Sequence, residues 1–239
     1  MKTATQALSL GLVAVGLITA SAHADVTVYS GADYGVDPGP IPNSNYAQSQ
    51  WYSAAVSLPG GGSYGLINFE AITQFGYFSA PLTVATGVTV SGPSLPSLIM
   101  ENQDQGYFYG FNTTPAGSNF LFEVGGSATF TFSTPIQAFG CYITGAQPET
   151  FSETVTFNDG PPQTVPIAQG GDGGCQFLGF TDPDQPIYSV TFNSGNDAIG
   201  IDDVQYVIVP EPSTLAFTFV GGLTLLTFVK RKRADRKTG

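Results

Sequence analysis

From Thr3 to Val229 the chain carries no lysine and no arginine, while sixteen aspartates and glutamates fall between residues 25 and 208. Salt bridges between side chains are therefore unavailable over that stretch. Any fold must rest on apolar burial, backbone hydrogen bonds and, where carboxylates crowd, bound cations. Hydrophobic residues make up 42% of the sequence, enough to close one core in a domain of this size. The same charge excludes nucleic acid as a partner, because affinity for it depends on Lys and Arg neutralising phosphates.

Short alternating segments rich in Thr, Val, Phe and Tyr recur between clusters of Gly, Pro, Asn and Asp. In Ala128-Thr129-Phe130-Thr131-Phe132-Ser133 the apolar side chains share one face and the hydroxyls the other, and Glu153-Thr154-Val155-Thr156-Phe157 repeats the scheme. One dry and one wet face predict an all-β fold, an antiparallel β-sandwich. Strands are expected over 25–30, 64–70, 82–91, 120–124, 128–133, 138–144, 153–158, 163–167, 189–193 and 204–209, with a turn at Asn158-Asp159-Gly160. The proline-bearing stretch 31–49 reads as an irregular excursion, and no helical period of useful length is visible between the two ends.

The ends are different. Lys2, an apolar stretch from Ala7 to Ile18, and Ala22 and Ala24 in an A-x-A arrangement predict a signal peptide and its helix over 1–24, cleaved after Ala24. Near the other end, seventeen mostly apolar residues run from Ser213 to Val229; at 1.5 Å per residue a helix of that length spans roughly 25 Å, just enough to cross a bilayer. Lys230-Arg231-Lys232-Arg233 follows directly, and the positive-inside bias puts 230–239 in the cytoplasm. The expectation is one exported domain, 25–208, tethered by a single carboxyl-terminal transmembrane helix, 213–229.

After cleavage of His23 with the signal peptide, the domain holds no imidazole, amine or guanidinium side chain. That excludes Ser-His-Asp and Cys-His catalysis, Lys Schiff bases and the usual zinc sites. A glycosidase needs only two carboxylates, so Glu70, Glu101, Glu123, Glu149 and Glu153 qualify by type, but no pair stands at a diagnostic spacing. The expectation is that the protein is not an enzyme. In an oxidising compartment the two cysteines, Cys141 and Cys175, are expected to form a disulfide, the alternative being two buried thiols.

Immediately before the apolar run stands Pro210-Glu211-Pro212, whose prolines favour an extended backbone that a protease at the membrane surface can reach. In order, spacing and terminal position, residues 209–239 resemble the sorting signal of PEP-CTERM proteins; the alternative is a plain anchor. The resemblance implies recognition and cutting near Pro-Glu-Pro by an exosortase, a membrane-embedded cysteine protease of bacteria that make exopolysaccharide. The expected partners are then the exosortase, the inner membrane and exopolysaccharide. The expected location is an inner-membrane-tethered precursor with a periplasmic domain, later the cell surface or extracellular space. The implied role is structural or interactive, in the exopolysaccharide or biofilm envelope; a polysaccharide-binding module is the alternative, and a carboxylate-only glycosidase a more distant one.

The body resembles the jelly-roll-like domains common in PEP-CTERM proteins, through Ile67-Asn68-Phe69-Glu70, Gly87-Val88-Thr89-Val90-Ser91-Gly92, Phe177-Leu178-Gly179-Phe180, Ile187-Tyr188-Ser189-Val190-Thr191-Phe192 and Gly200-Ile201-Asp202-Asp203-Val204. In carbohydrate-binding jelly rolls an early Glu and a late Asp hold a structural calcium, so the resemblance implies a calcium site at Glu70, Asp202 and Asp203. Calcium takes oxygen ligands only; the alternative is that Asp202-Asp203 turns the chain while Glu70 faces water. Flat aromatic faces bind sugars, which makes Trp51, Tyr107 and Tyr109 candidate carbohydrate contacts, the alternative being that they fill the core.

Overall fold

The computed structural model describes residues 26–37, 39–59, 62–73, 75–78, 81–92, 98–106, 108–147, 154–158, 163–166 and 173–208. The expected signal peptide (1–24), Pro210-Glu211-Pro212, the span 213–229 and the basic tail lie outside the described residues, as do Tyr107, Glu149 and Glu153. Among the described residues no helix is long and apolar enough to cross a membrane.

Among the described residues, eleven strands and one helix follow in the order β1 (Thr27–Tyr34), α1 (Pro42–Ala55), β2 (Ser63–Ile67), β3 (Gly76–Tyr77), β4 (Leu82–Ala85), β5 (Val88–Ser91), β6 (Leu98–Glu101), β7 (Phe120–Thr144), β8 (Thr154–Asn158), β9 (Gln163–Pro166), β10 (Gly174–Thr181) and β11 (Ile187–Ile208). Two strands organise the rest. β7 has 25 residues; drawn straight at ~3.3 Å per residue it would reach roughly 80 Å, several times the ~16 Å radius of gyration expected of such a domain. It therefore bends, first at Gly125 and Gly126, whose φ of 63° and 110° exclude ordinary side chains, and again near Pro135.

The bends divide the pairing into two layers. In the first, 120–132 of β7 pairs with β6 and β5 on one side and with the first half of β11 on the other (Val190↔Phe130, Phe192↔Ala128, Ile199↔Glu123), and β8 and β9 extend it beyond β11. In the second, the order is β1, β10, the second half of β7, the second half of β11 (Ile201↔Ile143, Tyr206↔Phe139, Val207↔Ala138) and β2. Within each stretch the β7 partner numbers fall as the β11 numbers rise. The remaining strand pairs are antiparallel, so the mostly antiparallel β architecture expected from the alternation is present.

The core lies between the layers. Phe130 and Phe192 of the first meet Phe139 of the second at ring-centroid distances of 6.0 and 5.9 Å, and Phe157 stacks on Phe180 at 4.0 Å. Ala128, Phe130 and Phe132 are buried, whereas Thr131 and Ser133 are exposed, as the alternation predicts. Truncating one such phenylalanine to alanine should cost about 3–5 kcal/mol.

Three expectations are corrected. Cys141 and Cys175 are free thiols, both buried. On paired β7 and β10, Cys141 faces Leu178 and Cys175 faces Thr144, three residues out of register; strand alternation sends the two side chains to opposite faces. Cys141 joins the inter-layer core and Cys175 the smaller core on the outer face of the second layer. The stretch read as irregular, 31–49, holds the end of β1 and the start of α1. Its apolar stripe is unusually narrow: Ser44, Ala47, Trp51 and Ala55 recur at helical spacing and are buried against the second layer, but three small residues and one large one give little periodic signal. Trp51 is 0% exposed, packs on Phe177 at 5.8 Å and donates its indole N–H to the Phe180 carbonyl at 3.2 Å. It is core and cannot be a sugar platform. Gly179 makes room for it, since a Cβ there would lie 2.5 Å from Trp51 Cδ1.

Candidate functional site

With no cation available, buried carboxylates in this domain are held by N–H and O–H donors. Asp33 on β1 is the plainest case. Its carboxylate accepts from the backbone N–H of Asn43 (3.1 Å) and Ser44 (2.8 Å), at the start of α1, and from Asn43 Nδ2 (3.0 Å) and Ser44 Oγ (2.8 Å). The helix has no capping side chain of its own at Ile41. Asp33 therefore satisfies its first free N–H groups from another strand, with the negative charge where the helix dipole favours it. This bond network fixes where Asn45 and the rest of α1 sit.

A second anchor is the bulge in β11. Ile199, Ile201, Val204 and Tyr206 face the inter-layer core, so alternation slips by one residue between Ile201 and Val204. The register shows the same insertion: Asp202 pairs with Tyr142 and Gln205 with Gly140, three steps on β11 against two on β7. Such a bulge turns two consecutive side chains to one side, here Asp202 and Asp203, with Asp203 at φ 44°.

Both carboxylates receive the loop after Phe111. Asp202 Oδ2 accepts from the N–H of Thr113 (2.7 Å) and Thr114 (3.2 Å), while Asp203 Oδ1 accepts from Thr114 Oγ1 (2.7 Å). At the other end of the loop, Glu70 Oε1 accepts from Asn112 Nδ2 (3.0 Å) and from the N–H of Ser118 and Asn119 (both 2.9 Å). Thr144 Oγ1 binds both the N–H and the carbonyl of Phe111 (2.9 and 3.0 Å). Among the described residues, the non-glycine residues with positive φ are Phe69, Ala116 and Asp203, and all three lie at this junction. Strained backbone of this kind persists only where its surroundings over-determine it.

Crowded acids are hard to ionise. Burial, then the neighbouring Asp203 charge, pushes Asp202 up to about 7, against the hydrogen bonds from Thr113. Burial chiefly, and Glu70 to a lesser degree, raises Asp203. Asp202 is 0% exposed and its Oδ1 has no hydrogen-bond partner within the protein. An orphaned oxygen among hydroxyls and carboxylates is donor chemistry that suits calcium. Among the described residues, however, no group of three or more His, Cys, Asp or Glu side chains is gathered to hold a metal ion. A separate acid, Glu123, is also 0% exposed: Oε1 accepts from Ser194 Oγ at 2.9 Å, Oε2 has no partner, and burial pushes the group up to about 7.

Between the start of α1, the anchored loop and the second layer lies a cleft of about 280 Å³, lined by Ile41, Asn45, Asn112, Thr113, Tyr142 and Asp203 among others. The Tyr142 hydroxyl donates to Asn45 Oδ1 at 2.8 Å. Amides, a phenol, a hydroxyl and one carboxylate edge thus surround an apolar lining that includes Phe111 and Pro115. Of the residues singled out in the sequence, Glu70, Asp202 and Asp203 are brought to one junction, and Asp203 lines the cleft. Tyr109 is exposed but is not among the cleft residues. Sequence reasoning missed Asn45 and Tyr142. The sequence signal available for the bulge was the broken alternation in Ile199-x-Ile201-x-x-Val204-x-Tyr206.

No family model matches the chain, and no curated protein matches it. Among solved structures it is similar to a variant of a family 29 carbohydrate-binding module (TM-score 0.33, 11% identity, 60% of this chain and 91% of that one). It is also similar to a family 29 carbohydrate-binding module from Piromyces equi (0.32, 10%, 61% and 90%). A third is the catalytic domain of a GH87 alpha-1,3-glucanase (0.32, 13%, 66% and 30%). At such TM-scores these likenesses establish neither a ligand nor an activity for this chain.

Proposed function

We propose that the chain is an exported envelope protein whose β domain binds polysaccharide in the cleft at Asn45, Asn112, Thr113, Tyr142 and Asp203, and whose tail is a PEP-CTERM sorting signal processed by an exosortase. The cleft carries the binding half of this reading. Sugars present apolar C–H faces ringed by hydroxyls, and a site with an apolar lining and a few fixed amides and hydroxyls complements both. The polymer is neutral, because sixteen acidic side chains with no basic one between 25 and 208 oppose a polyanion. The tail carries the sorting half, through Pro210-Glu211-Pro212, the apolar run and the basic finish.

Binding fits the site better than hydrolysis. Hydrolysis needs two carboxyl groups facing the substrate at roughly 5–10 Å, whereas Asp202 and Glu123 are 0% exposed and Glu70 holds the loop. The test is isothermal titration of neutral and anionic polysaccharides into the protein and into Asn45→Ala, a helix-surface change that leaves the core intact. Binding of a neutral polymer, weakened several-fold to about tenfold by losing one hydrogen-bonding group, is expected. Equal affinity in the variant, or preference for a polyanion, would sink the proposal.

A further inference from the structure

Among the described residues, α1 covers only part of the outer face of the second layer. α1 lies over β1, β10 and the second half of β7, and beyond them the sheet continues through β11 to its edge at β2. On that part Leu66 pairs with Gln205 and Tyr64 with Val207. Val207 belongs to the outer core, so Tyr64, Leu66 and Gln205 point outward too. Facing them is a second stripe of α1, Asn45, Gln48 and Tyr52, spaced three and four residues apart and so aligned along the helix. Helix and edge strand therefore meet above β11 along a shallow seam, a surface groove that starts at the cleft where Asn45 stands.

Its lining is organised. Gln205, 3% exposed, accepts on Oε1 from Gln48 Nε2 (2.8 Å) and from the Tyr64 hydroxyl (3.1 Å), tying both walls to the floor. Tyr52 and Tyr64 meet edge to face at 5.3 Å and 83°, and remain 42% and 40% exposed. Gln205, which accepts from the Tyr64 hydroxyl, also donates through Nε2 to the carbonyl of Asp203 at 3.4 Å, and Asp203 lines the cleft, which brings the tyrosine pair close to it. Among the described residues there is no lysine or arginine.

Resting on the polysaccharide-binding reading, we propose that this groove is the continuation of the cleft and takes a linear neutral glycan, with one sugar in the cleft and the following rings passing over Gln48 onto Tyr52 and Tyr64. Seven residues of helix separate Asn45 from Tyr52, about 10 Å at 1.5 Å per residue, which is the reach of a disaccharide. Perpendicular phenol rings offer stacking surface to a sugar ring, and the Gln48 amide at the surface offers a hydrogen-bonding group to its hydroxyls. A chain running along the groove gains contacts with length, which a closed pocket does not allow.

The test compares short and long members of two neutral series, cellobiose with cellohexaose and chitobiose with chitohexaose, by isothermal titration against the full chain in a detergent that carries no sugar. The wild-type protein should bind the longer member of at least one series about tenfold more tightly. The double variant Tyr52→Ala/Tyr64→Ala, with circular dichroism and melting temperature matching the wild type, should lose that gain; Tyr52→Phe/Tyr64→Phe, which keeps the rings, should retain most of it. A gain with length that survives the alanine pair overturns the groove while leaving the cleft standing. Absence of binding by the wild type to every member overturns both. A wild-type dimer that the alanine pair abolishes, with sugar binding unaffected, would show the groove to be a self-association face and also overturn the proposal.

Discussion

Glu123 makes a sharp test of how a cation-free core handles acid groups. The carboxyl is 0% exposed, bonded through one oxygen to Ser194, with the other oxygen unpartnered, and burial lifts it from 4.5 to about 7. A carboxyl raised in the folded state keeps its proton while the unfolded chain loses one. Its contribution to stability is then complete below pH 4.5 and is lost as pH rises towards 7. Between those limits the loss, at ~1.4 kcal/mol per pH unit, amounts to roughly 3 kcal/mol. Asp202, also lifted to about 7 by burial and by Asp203, acts in the same direction. Glu123→Gln removes the titration with little change of shape. Urea unfolding followed by the fluorescence of buried Trp51 should show the variant about as stable as wild type at pH 4.5 and about 2–3 kcal/mol more stable at pH 8. Equal denaturation midpoints for variant and wild type at pH 8 would refute the reasoning, because they would mean that Glu123 ionises in the fold at no cost.

Three further expectations follow from the same structure. Both cysteines should react with a thiol reagent only after unfolding, giving two thiols per chain without reductant, and a reductant should leave the melting temperature unchanged; a single intact disulfide in the purified protein would contradict the opposite facing of Cys141 and Cys175. Asp33→Ala should destabilise by at least about 1–2 kcal/mol, the worth of a helix cap, and should speed amide exchange in the first turn of α1; unchanged exchange there would show that the helix start does not depend on β1. If calcium binds at Glu70, Asp202 and Asp203, a chelator will lower the melting temperature, and Asp203→Asn will abolish that shift; no change with chelator removes the ion from the account.

The β architecture was legible wherever period-two alternation was strong, as in Ala128–Phe132 and Val155–Phe157, because one buried face leaves a plain mark on the sequence. What alternation does not reveal is continuity. Segments 120–124, 128–133 and 138–144 read as three strands but form one, since Gly125-Gly126 and Pro135 bend the chain without ending it. α1 escaped notice because small residues occupy most of its buried stripe and its helix start is capped by Asp33, some ten residues upstream, leaving no local signature. The site was half visible for a related reason. Glu70, Asp202 and Asp203 stood out as acids, but the cleft also needs Asn45 and Tyr142, ordinary residues whose meaning comes from α1 lying across the sheet.

The central claim, a neutral glycan held in the cleft between α1, the loop 111–119 and the bulge of β11, is tested most directly by hydrogen-deuterium exchange with and without the polysaccharide that binds. The account predicts slower exchange concentrated in peptides covering 42–55, 111–119 and 199–208. Protection confined to the far layer around β5, β8 and β9, or no protection at saturating ligand, would contradict it.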